Sequence, residues 1–240
     1  MLDQGVPPQG TRSRRSRTRH AEVRVAGLGI TVTHSPYQVA FGDILARLHP
    51  RLSAYFSAIP TGHHGYGTGT FTVAGCPRRW LRPLLAFVVP SDVMFPVWER
   101  NVPFTVVNVP RVDQEALVAV GAVRRFQFST GERAMADAIT ATPAGLVDFL
   151  GAGRHLEVAL TASVADGALK LESTGVTVRL GRMGIRLPRP VAPRVHLTER
   201  FDDVSDRQWV ELRITVPLIG IVYEYVGSFR YEIRPGEDKS

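Results

Sequence analysis

The sequence predicts a mainly β fold of the α+β class, a large curved antiparallel sheet or barrel-like domain with an N-terminal helical pair. Three features carry that expectation. Apolar and polar residues alternate with period two over most of the chain, short turn signals separate the runs, and one stretch near residues 37–58 has a helical period. Helix and strand patterns do not alternate, which excludes a doubly wound nucleotide-binding fold. At 240 residues and 44% hydrophobic, with neither internal repeat nor linker, the chain can bury one large core.

The helical stretch is SPYQVAFGDILARLHPRLSAYFSAIP. Val39, Phe41, Ile44, Leu45 and Leu48 recur on one side, and Leu52, Tyr55 and Phe56 continue the period. Ser35 followed by Pro36 makes a start signal, and Pro50 should divide the stretch in two because proline lacks a donor and restricts its predecessor. Strands follow. In LEVALTASV, Leu156, Val158, Leu160, Ala162 and Val164 share a face, and Asp166-Gly167 supplies a tight turn into ALKLES. In WVELRITV, Val210, Leu212, Ile214 and Val216 oppose Glu211, Arg213 and Thr215. About ten strands are expected within one domain spanning 21–234, with 235–240 as a disordered end.

The final run, VPLIGIVYEYVGSFRYEI, raises the question of an acid between two tyrosines. Read with period two, Tyr223, Tyr225, Phe229, Tyr231 and Ile219, Ile221, Ile233 face one side, and Glu224 faces the mixed side as a surface residue. The tyrosine rings can line a cavity while each hydroxyl demands a partner. Gly227 marks a bend or a close backbone approach. Two further inward polar residues stand out. Arg124 shares its face with Phe126 and Phe128, and Glu199 shares its face with Val195, Leu197 and Phe201. Buried charges need partners, so they form either a structural pair or a polar floor for a ligand. Asp137, Asp148, Glu157, Arg125, Arg200 and Arg213 are other candidates for such pairs.

Signatures of established chemistries are missing. His63-His64 sits in TGHHGYGTG without nearby acids or cysteines, and this stretch reads as a polar loop rather than a metal site. Its glycines lack phosphate-loop spacing, and no GxSxG is present. No metal or cofactor is expected. The single Cys76 excludes an intramolecular disulfide. Residues 1–20 carry five arginines against Asp3 alone and should form a disordered tail. No apolar h-region follows the twin arginines, so the chain is expected to be soluble and cytoplasmic. The tail could touch nucleic acid or anionic membrane, the lesser reading of its role.

In its order of segments the chain resembles the bacterial family of domain of unknown function 4166 (DUF4166). The stretches that carry the resemblance are FGDILARLHPRLSAYF, GYGTGTFTVAG, VPFTVVNVP, RRFQF, the run from VDFLG to ADGALKLES, IRLP and PLIGIVYEYVGSFRYEI, across about residues 37–233. The resemblance implies no activity and no catalytic residues. From the residues themselves, the expected function is binding of a lipophilic small molecule in an apolar cavity lined by Tyr223, Tyr225, Phe229, Tyr231, Phe126 and Phe128. Cofactor-independent cyclisation or isomerisation would use Tyr223, Tyr225, Glu199 or Arg124 for acid–base help. The alternative is a non-catalytic accessory or protein-interaction module with a fully packed core.

Overall fold

Eleven antiparallel strands account for the period-two stretches in the computed structural model, which describes residues 33–236 apart from 114 and 181–182. The arginine-rich segment 1–20, the greater part of the alternating stretch 21–34 and residues 237–240 lie outside the described residues. The strands are β1 (His63–Gly75), β2 (Trp98–Val112), β3 (Val118–Phe128), β4 (Gly131–Thr142), β5 (Gly145–Leu150) and β6 (Leu156–Ala165). After them come β7 (Ala168–Leu180), β8 (Met183–Arg186), β9 (Arg194–Asp202), β10 (Arg207–Val216) and β11 (Gly220–Pro235). The last strand thus runs one residue past the expected domain end.

Ten of these strands close into a barrel. Each pairs with its sequence neighbour, β9 takes the place beside β7, and β11 returns to pair with β1. β8 stands outside the ring as a short extension paired only with the far half of β7. Closure removes the open edges that a sheet of this width would otherwise expose. The turn between β6 and β7 is the Asp166-Gly167 hairpin expected from the sequence, with φ of 52° and 73°.

The stretch expected as a polar loop is instead the start of β1. Gly65, Gly67 and Gly69 face the barrel interior opposite Tyr231 and Phe229. A Cβ at Gly65 would fall 1.6 Å from the Tyr231 hydroxyl oxygen, and one at Gly69 would fall 2.1 Å from the Ser228 carbonyl oxygen. The glycines are there so that aromatic rings of β11 can lie flat on the β1 backbone, not to make a loop flexible. Further along, β1 shifts register between Phe71 and Val73 opposite Gly227, the bend anticipated there. A second shift, between Ile214 and Thr215, leaves Val222 bulged on β11. Strict alternation from Ile219 to Tyr223 therefore fails, and Val222 and Tyr223 are both buried.

Each barrel mouth has its own cap. At one end lie α1 (Pro36–Phe41), a 3-10 turn (Gly42–Arg47) and α2 (Pro50–Tyr55). Ser35 caps α1 through a capping box with Gln38, and its hydroxyl also donates to the Phe56 carbonyl oxygen. Pro50 opens α2, as its missing donor requires. Leu45, Leu48, Leu52 and Phe56 pack on Val164, Leu169 and Leu171 of the β6–β7 hairpin, and the His49 amide donates to the Gly167 carbonyl at 2.9 Å.

The opposite end is filled by residues 76–97, which include a 3-10 turn (Arg79–Leu81) and α3 (Arg82–Val88). The period-two reading missed this helix because RWLRPLLAFV is apolar on two sides. Leu81, Leu85, Val93, Met94 and Phe95 join Phe71, Phe104, Phe126, Phe128 and Tyr223 in a large aromatic core. Phe71 stacks on Phe104 with ring centroids 3.8 Å apart, and Phe95 meets Phe126 edge-on at 5.2 Å.

Candidate functional site

Between the aromatic core and the helical cap, the barrel interior carries a group of ionisable side chains among aliphatic ones. Arg124 on β3, Asp137 on β4, Asp148 on β5, Glu199 on β9 and Tyr225 on β11 line one cavity of about 60 Å³, with Tyr37 and Tyr55 contributed by the helical cap. The strand register explains the grouping. Asp137 pairs with Leu150 and Ile139 with Asp148 across β4 and β5, so both acids project from the same inward face. The surrounding wall is Leu160, Leu171, Val195, Leu197, Leu212 and Ile214. At roughly 15 Å³ per water position, this space admits about four waters or the polar head of a larger molecule.

One arginine stands among three carboxyls that line the cavity. Arg124 pairs directly with Asp137, whose side chain is 3% exposed. Glu199 instead accepts a hydrogen bond from the Gln208 side-chain amide of β10, and both residues are buried. Asp148 keeps one carboxyl oxygen without any partner. Asp148 is half-buried and lines the cavity.

Burial pushes the Asp148 carboxyl well above the usual range, the Asp137 charge adds to this, and Arg124 pulls against it. Asp137 is raised by burial too, against the pull of the bonded Arg124. The bonded guanidinium favours charge on Asp137, and that charge in turn disfavours a second one on Asp148. Burial raises Glu199 to about 7, with the Gln208 hydrogen bond and Arg124 opposing. Burial works against the Arg124 charge, but Asp137, with Tyr225, Tyr55 and Asp148 adding to it, more than offsets that and keeps the guanidinium protonated. Tyr225 is raised to about 12 and Tyr37 and Tyr55 are raised well above their ordinary value, all chiefly by burial. The cavity thus holds one ion pair, an Asp148 carboxyl whose burial favours its protonated form, a Glu199 carboxyl raised to about 7, and three phenols that burial keeps neutral. Such groups donate hydrogen bonds to a carbonyl or ether oxygen, and Glu199 can exchange a proton.

A second space lies against the first. An open cleft of about 440 Å³ runs between α2 and the ends of β1, β9, β10 and β11. Arg51, Tyr55, Tyr66, Phe201, Phe229 and Tyr231 line it, and Gln208 is in its wall. Tyr55 borders both spaces, with its ring 4.6 Å from that of Tyr231 and 6.0 Å from that of Phe229. Gln208 faces the cleft while holding Glu199, which faces the cavity. The cleft falls within the range of about 300–1,000 Å³ usual for small-molecule sites.

The residues singled out from sequence therefore lie in three places. Arg124, Glu199 and Tyr225 meet at the inner cavity, and Phe229 and Tyr231 line the cleft. Tyr223, Phe126 and Phe128 belong to the packed aromatic core and border neither space. The Tyr223 hydroxyl is buried without a hydrogen-bond partner; its interaction with the Phe95 backbone falls short of hydrogen-bond geometry. Arg124 and Glu199 do not pair with each other. The sequence reading left Tyr37, Tyr55 and Gln208 out of the site, and it held Asp137 and Asp148 only as generic ion-pair candidates. A usable signal existed for the aspartates, since Met135-x-Asp137-x-Ile139 and Leu146-x-Asp148-x-Leu150 each put an acid in register on an apolar face. Among the described residues, no group of three or more His, Cys, Asp or Glu is arranged to hold a metal ion. None of their helices is long and apolar enough to cross a membrane.

Residues 48–229 match the family model described as "Domain of unknown function (DUF4166)". The chain is also 25% identical over 191 residues to the "Uncharacterized protein YndH" of Bacillus subtilis (strain 168), covering 78% of this chain and 92% of that protein. No solved structure matches it.

Proposed function

We propose that this chain, which belongs to the DUF4166 family, binds an organic small molecule whose apolar body lies in the cleft and whose polar group reaches the inner cavity. The observation that carries this reading is the buried acid–arginine–tyrosine group itself. A barrel that needed only a core would not retain three carboxyls around one guanidinium, because each desolvated acid costs stability. Tyr55, Tyr66, Phe201, Phe229 and Tyr231 give the body of the ligand aromatic surface. Asp148, Tyr37 and Tyr225 supply donors for an oxygen on the ligand. Glu199 is poised to take or return a proton at neutral pH, which suits cofactor-independent isomerisation or cyclisation through an enol or enolate. The Arg124–Asp137 pair holds the local field in place.

The small volume of the inner cavity favours a second reading, an accessory module whose interior is simply filled. The two separate in one experiment. Native mass spectrometry of the purified full chain, followed by solvent extraction, should reveal a co-purifying organic molecule that the Tyr55→Ala and Glu199→Gln variants retain less well. A wild-type protein that shows a clean apo mass, and no thermal shift with any member of a panel of carbonyl-bearing lipophilic compounds, would overturn the ligand reading in favour of the module.

A further inference from the structure

The segment CPRRWLRPLLAFVVP, at the barrel end opposite the cleft, has two apolar sides. Leu81 and Leu85 point into the aromatic core at 3% and 8% exposure. Trp80, Leu84 and Phe87, at i, i+4 and i+7, form the other stripe and are 63%, 53% and 92% exposed. Among the described residues nothing covers that second stripe. Beside it stands the turn between β10 and β11, whose tip, Leu218, is fully exposed and held at a φ of 66°. A left-handed backbone is unfavourable for leucine, where glycine or asparagine would fit without strain. Arg78 joins the two segments, its Nε donating to the Ile221 carbonyl oxygen at 3.2 Å.

The charge on this segment has one sign. Arg78, Arg79 and Arg82 flank the apolar stripe, and residues 76–91 contain no acid. Among the described residues none of the three arginines forms an ion pair; Arg82 donates instead to the Cys76 carbonyl oxygen at 3.0 Å. We propose that this end of the barrel docks on an anionic membrane surface, with Trp80, Leu84, Phe87 and Leu218 entering the interfacial layer and the three arginines meeting lipid phosphates. Aromatic and leucine side chains beside arginines are the composition of interfacial segments. Phe87 and Leu218 protrude almost wholly from the protein. A rigid protein partner would need a fitted pocket for each, and a fluid interface needs none. Docking in this pose leaves the cleft facing away from the lipid, open to solvent.

The test is flotation of the full chain with vesicles of phosphatidylcholine containing phosphatidylglycerol, against pure phosphatidylcholine, at low and high salt. The wild type should float with the anionic vesicles and lose much of that binding in high salt. Trp80→Ser, Leu84→Ser and Phe87→Ser combined should lower the partition coefficient by at least about tenfold, and Arg79→Glu by about fivefold or more. Leu218→Asn should weaken binding while leaving the melting temperature equal or higher, a pairing that damage to the fold would not produce. Three results would overturn the proposal. The first is a wild type that fails to float at low salt. The second is a triple variant that floats as well as the wild type, which would assign binding to another surface such as residues 1–20. The third is a wild-type dimer in sedimentation that the triple variant loses without any vesicle binding, which would make a second copy the occupant.

Discussion

Replacing Glu199 by glutamine removes the titration of one buried acid and leaves its shape in place. Glu199 is 5% exposed, and its pKa is raised from 4.5 to about 7, chiefly by burial. Between those values the folded chain holds a proton that the unfolded chain has released. Stability therefore falls as pH rises through that window and is flat above it. A shift of this size corresponds to about 3 kcal/mol of folded-state destabilisation at alkaline pH. The glutamine carbonyl can still accept from the Gln208 amide that now bonds Glu199. Whatever the extra amide donors cost is the same at every pH. The expected outcome is that Glu199→Gln becomes more favourable, relative to wild type, by about 3 kcal/mol on going from about pH 4.5 to pH 8. Urea unfolding followed by circular dichroism at the two pH values measures it directly. A difference between variant and wild type that does not change with pH would refute the claim that burial burdens this carboxylate. It would also remove the basis for giving Glu199 a proton-exchange role.

Arg124→Met should cost about 3–5 kcal/mol at neutral pH, because it leaves the Asp137 carboxylate buried without its partner. Adding Asp137→Asn should recover much of that loss, and denaturant midpoints of the single and double variants decide it. Gly69→Ala puts a Cβ against the Ser228 carbonyl oxygen of the paired strand, where only backbone movement can relieve the clash. It should lower stability by about 2–3 kcal/mol or prevent folding, as judged by thermal melting.

Much of the wall was legible in the sequence and little of its depth. Arg124 and Glu199 each announced an inward charge by sharing a face with apolar neighbours, and the period of two fixed that direction before any pairing was known. Which charge meets which depends on register between strands. Asp137 lies opposite Ala122, one inward position from Arg124, and that offset is written in a turn rather than in either strand. Tyr223 and Tyr225 read as equals because alternation reports the side a residue faces and says nothing of its height along the barrel axis. One ended in the aromatic core and the other at the cavity. The cleft is assembled from α2 and four strands that are distant in sequence, and no single segment carries its pattern. α3 was hidden because a helix that is apolar on two sides shows no polar face against which to see its period.

Most of the ring grows by adding each strand to the one made just before it, but the pairing of β1 with β11 joins the first strand to the last. The two ends finally meet where the Gly236 amide donates to the Gly62 carbonyl oxygen at 2.6 Å. During synthesis one side of β1 therefore stands unpaired until β11 has left the ribosome, an interval in which an exposed strand can recruit other chains. The sequence waiting through that interval is HHGYGTGTF, with three glycines and few of the β-branched side chains that favour strand addition. The same absence of side chains that seats Phe229 and Tyr231 in the finished barrel makes its first edge a poor template before the barrel exists.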